Sequence, residues 1–407
     1  MPSSPDSSAP APSMRGVLVL LVLAGAVSAV AAVQVETPAI AATSVVLAAA
    51  SLARLLARPV PVASNRLAAL LAAAAVNAAL LLAALGLSAL AAEGAMRWVY
   101  RDVTSTADFR GYFTTKWMRA EVRHNHYDYR GAEFEEEKPT GVYRVAVMGD
   151  SFTYGNGVRE DERFSNLVGA AVRDRHVEVL NFGFPGNNWP EHVRTLERRV
   201  LRLRPDFVLL QWGINDVEMD EDVASRPTVP PLVTNRDWHE WLYARSALYT
   251  ILNAQWIRLQ LLRSMGDTYD RYMVRRYGDP ASPGAVRADQ LMRRFLALAR
   301  ERGVGVGLVL FPEAAVDLGP GYAYQFLHDR VAAVCREARV TCIDLLAAYR
   351  RVPDRFDLWV TPLDAHPSAL ANRLAADAVL STFAPLWGMP AGAPGSRPAV
   401  QSGPEAR

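Results

Sequence analysis

Cysteine is almost absent from this chain of 407 residues, which has only Cys335 and Cys342. That excludes a disulfide-stapled scaffold. Two buried free thiols are the expected state, and one bridge becomes possible only if the domain lies outside the cytoplasm. Charge imbalance is missing too. The 44 basic residues, nearly all arginine, are set against 42 acidic ones for a net charge of +2, and they form no basic stripe. Nothing in this favours a nucleic-acid partner. No internal repeat is present, which excludes a solenoid. Metal-ligand spacing is also lacking. The string His124, His126, Asp128 comes nearest, but no third cluster joins it, so neither a metal nor a cofactor is expected.

Charge is scarcest in the first hundred residues, which are dominated by Ala, Leu and Val. Crossing a bilayer takes roughly 20 apolar residues. Three stretches within the region 16–95 predict transmembrane helices at about 16–35, 39–56 and 67–92. Arg54, near the end of the second, can snorkel to the interface. Met14 and Arg15 followed by small residues at 27–31 would also fit a cleaved signal peptide, but the two apolar stretches close behind favour a membrane helix. Arg15 precedes the first stretch, and Arg54, Arg58 and Arg66 flank the second loop, whereas the loop 34–38 has no cation. The positive-inside rule then puts the N-terminus in the cytoplasm and, after three crossings, the C-terminal domain outside. Arg97 and Arg101 weigh slightly against this, while Trp98 and Tyr100 fit an interfacial anchor. The expectation is a multi-pass protein of the cell membrane, with disorder over residues 1–15 and 388–407, whose composition cannot build a core.

From about residue 105 to 387 the composition is that of a globular domain. Short apolar runs at 143–148 (YRVAVM), 177–182 (VEVLNF), 207–212 (FVLLQW), 304–311 (VGVGLVLF) and 341–345 (TCIDL) predict five strands. Helical patterns lie between them at 161–175, 189–204, 285–302 and 324–339, and a last helix is expected to start near Pro367. Continuously apolar strands alternating with helices read as an α/β fold, a flavodoxin-like, doubly wound parallel sheet. An insertion at about 218–287 breaks the rhythm. It contains Trp238, Trp241, Tyr243, Tyr249 and Trp256, read as a helical segment burying its own aromatics, with a lid over the site as the other reading.

Gly149-Asp150-Ser151 follows the first strand directly. A serine at a strand tip entering a helical turn has an exposed hydroxyl and a free N–H, but it needs a base to become nucleophilic. His366, within Asp364-Ala365-His366-Pro367, is the candidate base, and Asp364 can accept its other ring N–H. Gly186 follows the second strand and Asn215 the third. Their backbone and side-chain N–H groups, with that of Ser151, would form an oxyanion hole, each donor worth on the order of 3 kcal/mol. Asp150 and Asp216 are read as turn-holding residues. His176, His192, His239 and His328 are read as surface or packing.

The segments GDS at 149–151, NFGFPGN at 181–187, GIND at 213–216 and DAHP at 364–367 stand in the order of the four blocks of the SGNH hydrolases, or GDSL-like esterases, which this chain resembles over about 141–385. The resemblance implies an SGNH hydrolase fold without a metal, with Ser151 as nucleophile, Asp364 and His366 completing the triad, and Ser151, Gly186 and Asn215 forming the oxyanion hole. Two departures stand out. Phe152 takes the place of the usual leucine. Asp364 lies two residues before His366 where the family has three, a spacing similar to that of related sugar O-acetyltransferases of bacterial envelopes. The expected activity is hydrolysis of a small-molecule, lipid or carbohydrate ester by a membrane-embedded chain. O-acyl transfer to an envelope carbohydrate is one alternative, and a non-catalytic binding domain on the same fold is the other. No protein partner is indicated.

Overall fold

Five parallel strands form one sheet in the computed structural model, which describes residues 66–106, 108, 110–219, 229–265 and 269–387. They are β1 (Tyr143–Gly149), β2 (Val177–Gly183), β3 (Phe207–Trp212), β4 (Gly305–Leu310) and β5 (Thr341–Asp344), in the order β2-β1-β3-β4-β5. Val145, Val147, Val208, Leu209, Leu308 and Val309 are fully buried, because a parallel sheet covered on both faces leaves no polar side. The crossover from β1 to β2 runs opposite to those from β2 through β5. Right-handed connections therefore place helices on both faces, and the chain reverses direction across the sheet beside β1.

On one face α3 (Phe164–Val172) packs with α10 (Ala369–Thr382), and on the other α8 (Pro283–Glu301) packs with α4 (Trp189–Arg198) and α9 (Gln325–Ala338). The expected helix at 161–175 is broken into α3 and two flanking 3₁₀ turns, and that at 189–204 stops at Arg198. Both start signals act as physical chemistry predicts. Ser282 accepts a hydrogen bond from the Ala285 N–H ahead of Pro283, and Asn188 accepts one from Glu191. Pro367 does not begin the last helix. It ends β7 (Asp364–Pro367), which pairs antiparallel with β6 (Trp359–Thr361), and Ser368 caps α10 instead. Gly183 lets the turn after β1 lie against β2, since a Cβ there would overlap the backbone of Thr153 and Tyr154.

Cys335 and Cys342 form a disulfide, contrary to the expected free thiols. The tight connection from α9 to β5, with Arg339 in the left-handed region, brings their Cα atoms to 6.3 Å, inside the range a bridge can span.

The insertion is helical: α5 (Arg236–Arg245), α6 (Ala247–Met265) and α7 (Tyr269–Tyr277). Its aromatics are only partly internal. Tyr249 is buried, but Trp238 and Trp241 are 62% and 49% exposed, because α5 buries no residue at all.

Among the described residues two units separate by contact, one comprising 66–102 with Arg245–Leu252, the other Val103–Ala244 with 253–387. The first two expected transmembrane segments, 16–35 and 39–56, lie outside the described residues, as do both terminal segments expected to be disordered. The third falls within α1 (Arg66–Val99), whose stretch Asn77–Val99 is long and apolar enough to cross a membrane. It is the one such helix among the described residues. The helix outruns the expected 67–92 because Glu93 and Arg97 pair one turn apart. Glu93 also accepts from Ser246 Oγ and from the N–H groups of Ala247 and Leu248, capping α6 from a distant part of the chain.

Candidate active site

At the C-terminal end of β1, where the winding reverses, Asp150 caps a four-residue helical turn, Ser151–Tyr154, by accepting from the Phe152 N–H at 2.8 Å. Ser151 is the first residue of that turn, so its N–H has no intrahelical acceptor. Ser151 Oγ lies 2.7 Å from His366 Nε2, and His366 Nδ1 lies 2.5 Å from Asp364 Oδ1. The two-residue spacing of Asp364 and His366 works because both sit on β7, where alternate residues share a face. His366 packs edge-to-face on Phe152, with ring centroids 5.4 Å apart.

Burial alone would push the His366 imidazole down. The charge and hydrogen bond of Asp364 outweigh that and hold it above its ordinary value. Burial would likewise raise Asp364, but the charge and hydrogen bond of His366, together with Ser105, hold it below the usual carboxylate range. Burial keeps Glu313, on the loop after β4, above that range, against the pull of the Ala315 N–H and of His366.

The loops that carry the other expected donors converge on the same strand ends. Phe184 N–H donates to the Gly149 carbonyl at 3.1 Å and Asn187 Nδ2 donates to it at 3.3 Å, tying the loop after β2 to β1. Gly186 adopts φ +80°, in the left-handed region that favours glycine, and a Cβ added there would meet open space. Asn215 sits on a 3₁₀ turn, Ile214–Val217, directly after β3, and its Oδ1 and an Asp150 carboxylate oxygen both approach Gly213.

Residues that the sequence does not single out support this arrangement. Ser105 is fully buried and donates to Asp364 Oδ2. Asn156 Nδ2 donates to Ser105 Oγ at 2.9 Å and to Asp364 Oδ2 at 3.1 Å. Thr104 Oγ1 donates to the Gly157 carbonyl and Thr361 Oγ1 to that of Ser105, strapping the segment in place. His192 is neither surface nor idle packing. It is fully buried with Nε2 3.0 Å from Asp216 Oδ1, while Asp216 Oδ2 accepts from the Gly213 N–H and so braces the turn that carries Asn215. Burial pushes the Asp216 carboxyl up to about 6, with His192 pulling the other way. Asp150 and Asp216 do hold turns, as read from the sequence. Of the H-x-H-x-D string, His124 faces Tyr154 Oη at 3.1 Å and His126 pairs with Glu133.

Ser105→Ala removes one donor to the Asp364 carboxylate. A hydrogen bond to a charged group is worth about 1.5–3 kcal/mol, so kcat should fall by about 10- to 100-fold with KM little changed. Steady-state kinetics on p-nitrophenyl acetate would check this.

A family model described as the GDSL-like Lipase/Acylhydrolase family matches residues 147–374. Similar solved structures include TesA, 15% identical with a TM-score of 0.37, covering 60% of this chain and 98% of that one. Another is a lipolytic protein of the G-D-S-L family from Veillonella parvula, 14% identical, TM-score 0.37, covering 60% and 99%. A third is the acetyl xylan esterase AlAXEase, 20% identical, TM-score 0.38, covering 59% and 99%. No curated protein matches the chain.

Proposed function

This chain belongs to the GDSL-like lipase/acylhydrolase family, enzymes acting on ester bonds, and on that premise we propose that Ser151 attacks an ester carbonyl to form an acyl-enzyme. The observation that carries the assignment is the unbroken contact from Ser151 Oγ through His366 to Asp364. His366 Nε2 takes the hydroxyl proton as the C–O bond forms, and Asp364 stabilises the imidazolium. Ser151 N–H, Gly186 N–H and the Asn215 side chain hold the tetrahedral oxyanion. His366 then protonates the departing alcohol. Water, activated by the same imidazole, releases the acid.

Transfer of the acyl group to a sugar hydroxyl is the second reading, favoured by the Asp364–His366 spacing on β7. Both readings use the same acyl-enzyme and differ only in what attacks it. The test is to react the full chain with a fluorophosphonate probe, then follow p-nitrophenyl acetate turnover with and without an oligosaccharide acceptor. Labelling with acetate as the only acyl product supports hydrolysis, and acetylated sugar supports transfer. A folded protein that neither labels nor turns over would leave only a binding role.

We also propose that the chain is held in the cell membrane by its N-terminal region, through three helices, with the catalytic domain on the extracytoplasmic side. Supporting this are the apolar stretch Asn77–Val99, the arginine distribution of the first hundred residues and the Cys335–Cys342 bridge, which persists outside the reducing cytoplasm. Arg302 is exposed. In intact cells Arg302→Cys should react with a membrane-impermeant maleimide, and reaction only after lysis would reverse the orientation.

A further inference from the structure

Glu313 stands on the loop after β4, outside all the sequence blocks that carry the triad and the oxyanion donors. In the sheet β4 lies two strands from β1, so this loop leaves the C-terminal edge about 10 Å from the nucleophile turn. Side chains bridge the interval. Phe311 meets Phe152 edge-to-face at 5.8 Å, and Phe152 meets His366 at 5.4 Å. Trp359 Nε1 donates to the Ala314 carbonyl at 3.0 Å, and Trp359 pairs with Pro367, the residue after His366, across the β6–β7 hairpin. The loop is therefore gripped both by the neighbour of the nucleophile and by the strands that carry the base.

The backbone around Glu313 is fixed as well. Its N–H donates to Tyr322 Oη at 2.8 Å, and Arg355 Nη1 donates to the Ala315 carbonyl at 2.9 Å. Glu313 Oε1 accepts from the Ala315 N–H at 2.9 Å. The other oxygen, Oε2, has no hydrogen-bond partner among the described residues, yet it is not enclosed. The charges of His366, Asp364 and Asp150 all act on this carboxyl group, and it acts on His366 in return.

Such a group suits a hydroxyl. A carboxyl accepts a hydrogen bond when ionised and donates one when protonated, and a hydroxyl can answer either. His366 must hand its proton to the alcohol oxygen as the ester opens, so the alcohol part of the substrate lies beside the imidazole. Phe152 and Trp359 tie the Glu313 loop to that same side.

We propose that Glu313 is a specificity-determining residue for the alcohol part of the substrate. Its Oε2 hydrogen-bonds a hydroxyl there, so that esters of polyhydric alcohols are taken ahead of esters of apolar ones. This rests on the acyl-enzyme reading above.

The test compares glyceryl 1-monoacetate with 2-methylbutyl acetate on the full chain. The two share an acyl group and a branching pattern, and differ only in carrying hydroxyls or methyls at two positions. Both use the same imidazole, so any change in His366 cancels in the ratio of their kcat/KM values. That ratio should fall about 10-fold in Glu313→Leu and Glu313→Ala, and by less than about threefold in Glu313→Gln, which can still hydrogen-bond a hydroxyl. A thermal melt of each variant shows that it folds, and either truncation serves if the other does not. A ratio unchanged from the native chain in a folded truncation overturns the assignment. A fall as large in Glu313→Gln would put the effect on charge and also overturn it. In both cases turnover that is lost in Ser151→Ala leaves the acyl-enzyme reading standing, whereas turnover that persists in Ser151→Ala sinks that reading and this one with it.

Discussion

Ser151→Ala should abolish fluorophosphonate labelling and cut kcat for p-nitrophenyl acetate by on the order of 10⁴-fold or more, with KM and thermal stability almost unchanged. The magnitude follows from what the hydroxyl does. Without it no acyl-enzyme forms, and what remains is the contribution of oxyanion donors and binding to direct attack by water, which in triad enzymes leaves a small residual rate. Ser151 is only partly buried, and its Oγ makes one side-chain contact, to His366, so little packing is lost. A variant that kept a tenth or more of the native rate would exclude Ser151 as the nucleophile.

The second large effect is expected at Asp364. Asp364→Asn preserves the shape of the side chain but removes the charge that offsets burial of the imidazole. It also presents an N–H₂ group where a lone pair is needed, favouring the wrong ring tautomer. A loss in kcat on the order of 10³- to 10⁴-fold is expected. The pH profile should separate this from simple misfolding. In the native chain the base must be neutral, and Asp364 holds the His366 imidazole above its ordinary 6.5, so kcat/KM should rise with pH through a midpoint above that value. In the variant burial is opposed only by the charges of Asp150 and Glu313, the smaller of the raising causes, and the midpoint should move to lower pH. A midpoint that stays in place would show that the carboxylate does not set the state of the base.

Much of this was visible in the residues themselves. Five apolar runs became five strands, each within a residue of its expected start, because a parallel strand buried on both faces can hardly be anything but continuously apolar. Ser151 stood out because it follows the end of an apolar strand, and Asp364 and His366 because they stand two residues apart ahead of a proline, although they lie on β7 and not in the loop that the sequence suggests. What escaped were contacts made across the chain. Ser105 lies 259 residues from its acceptor, and nothing local marks it. His192 lies on α4, where a buried histidine looks like any other helix residue until Asp216 is placed opposite. The β6–β7 pairing overrode a proline that looked like a helix start. The disulfide depended on how tightly α9 turns into β5, and seven residues of separation do not reveal that. The insertion's tryptophans were assigned to an interior by their size alone, although α5 buries nothing.

Ser105 changes how the catalytic domain can be cut. The segment that follows α1 has the look of a tether, a length of chain joining two units. Here Ser105 donates to Asp364 Oδ2, so on the proposed mechanism a fragment that begins after Ser105 would have the kinetics of Ser105→Ala. If α1 holds the chain in a membrane as proposed, a protease acting in the same place would both release the domain and take this hydrogen bond from Asp364.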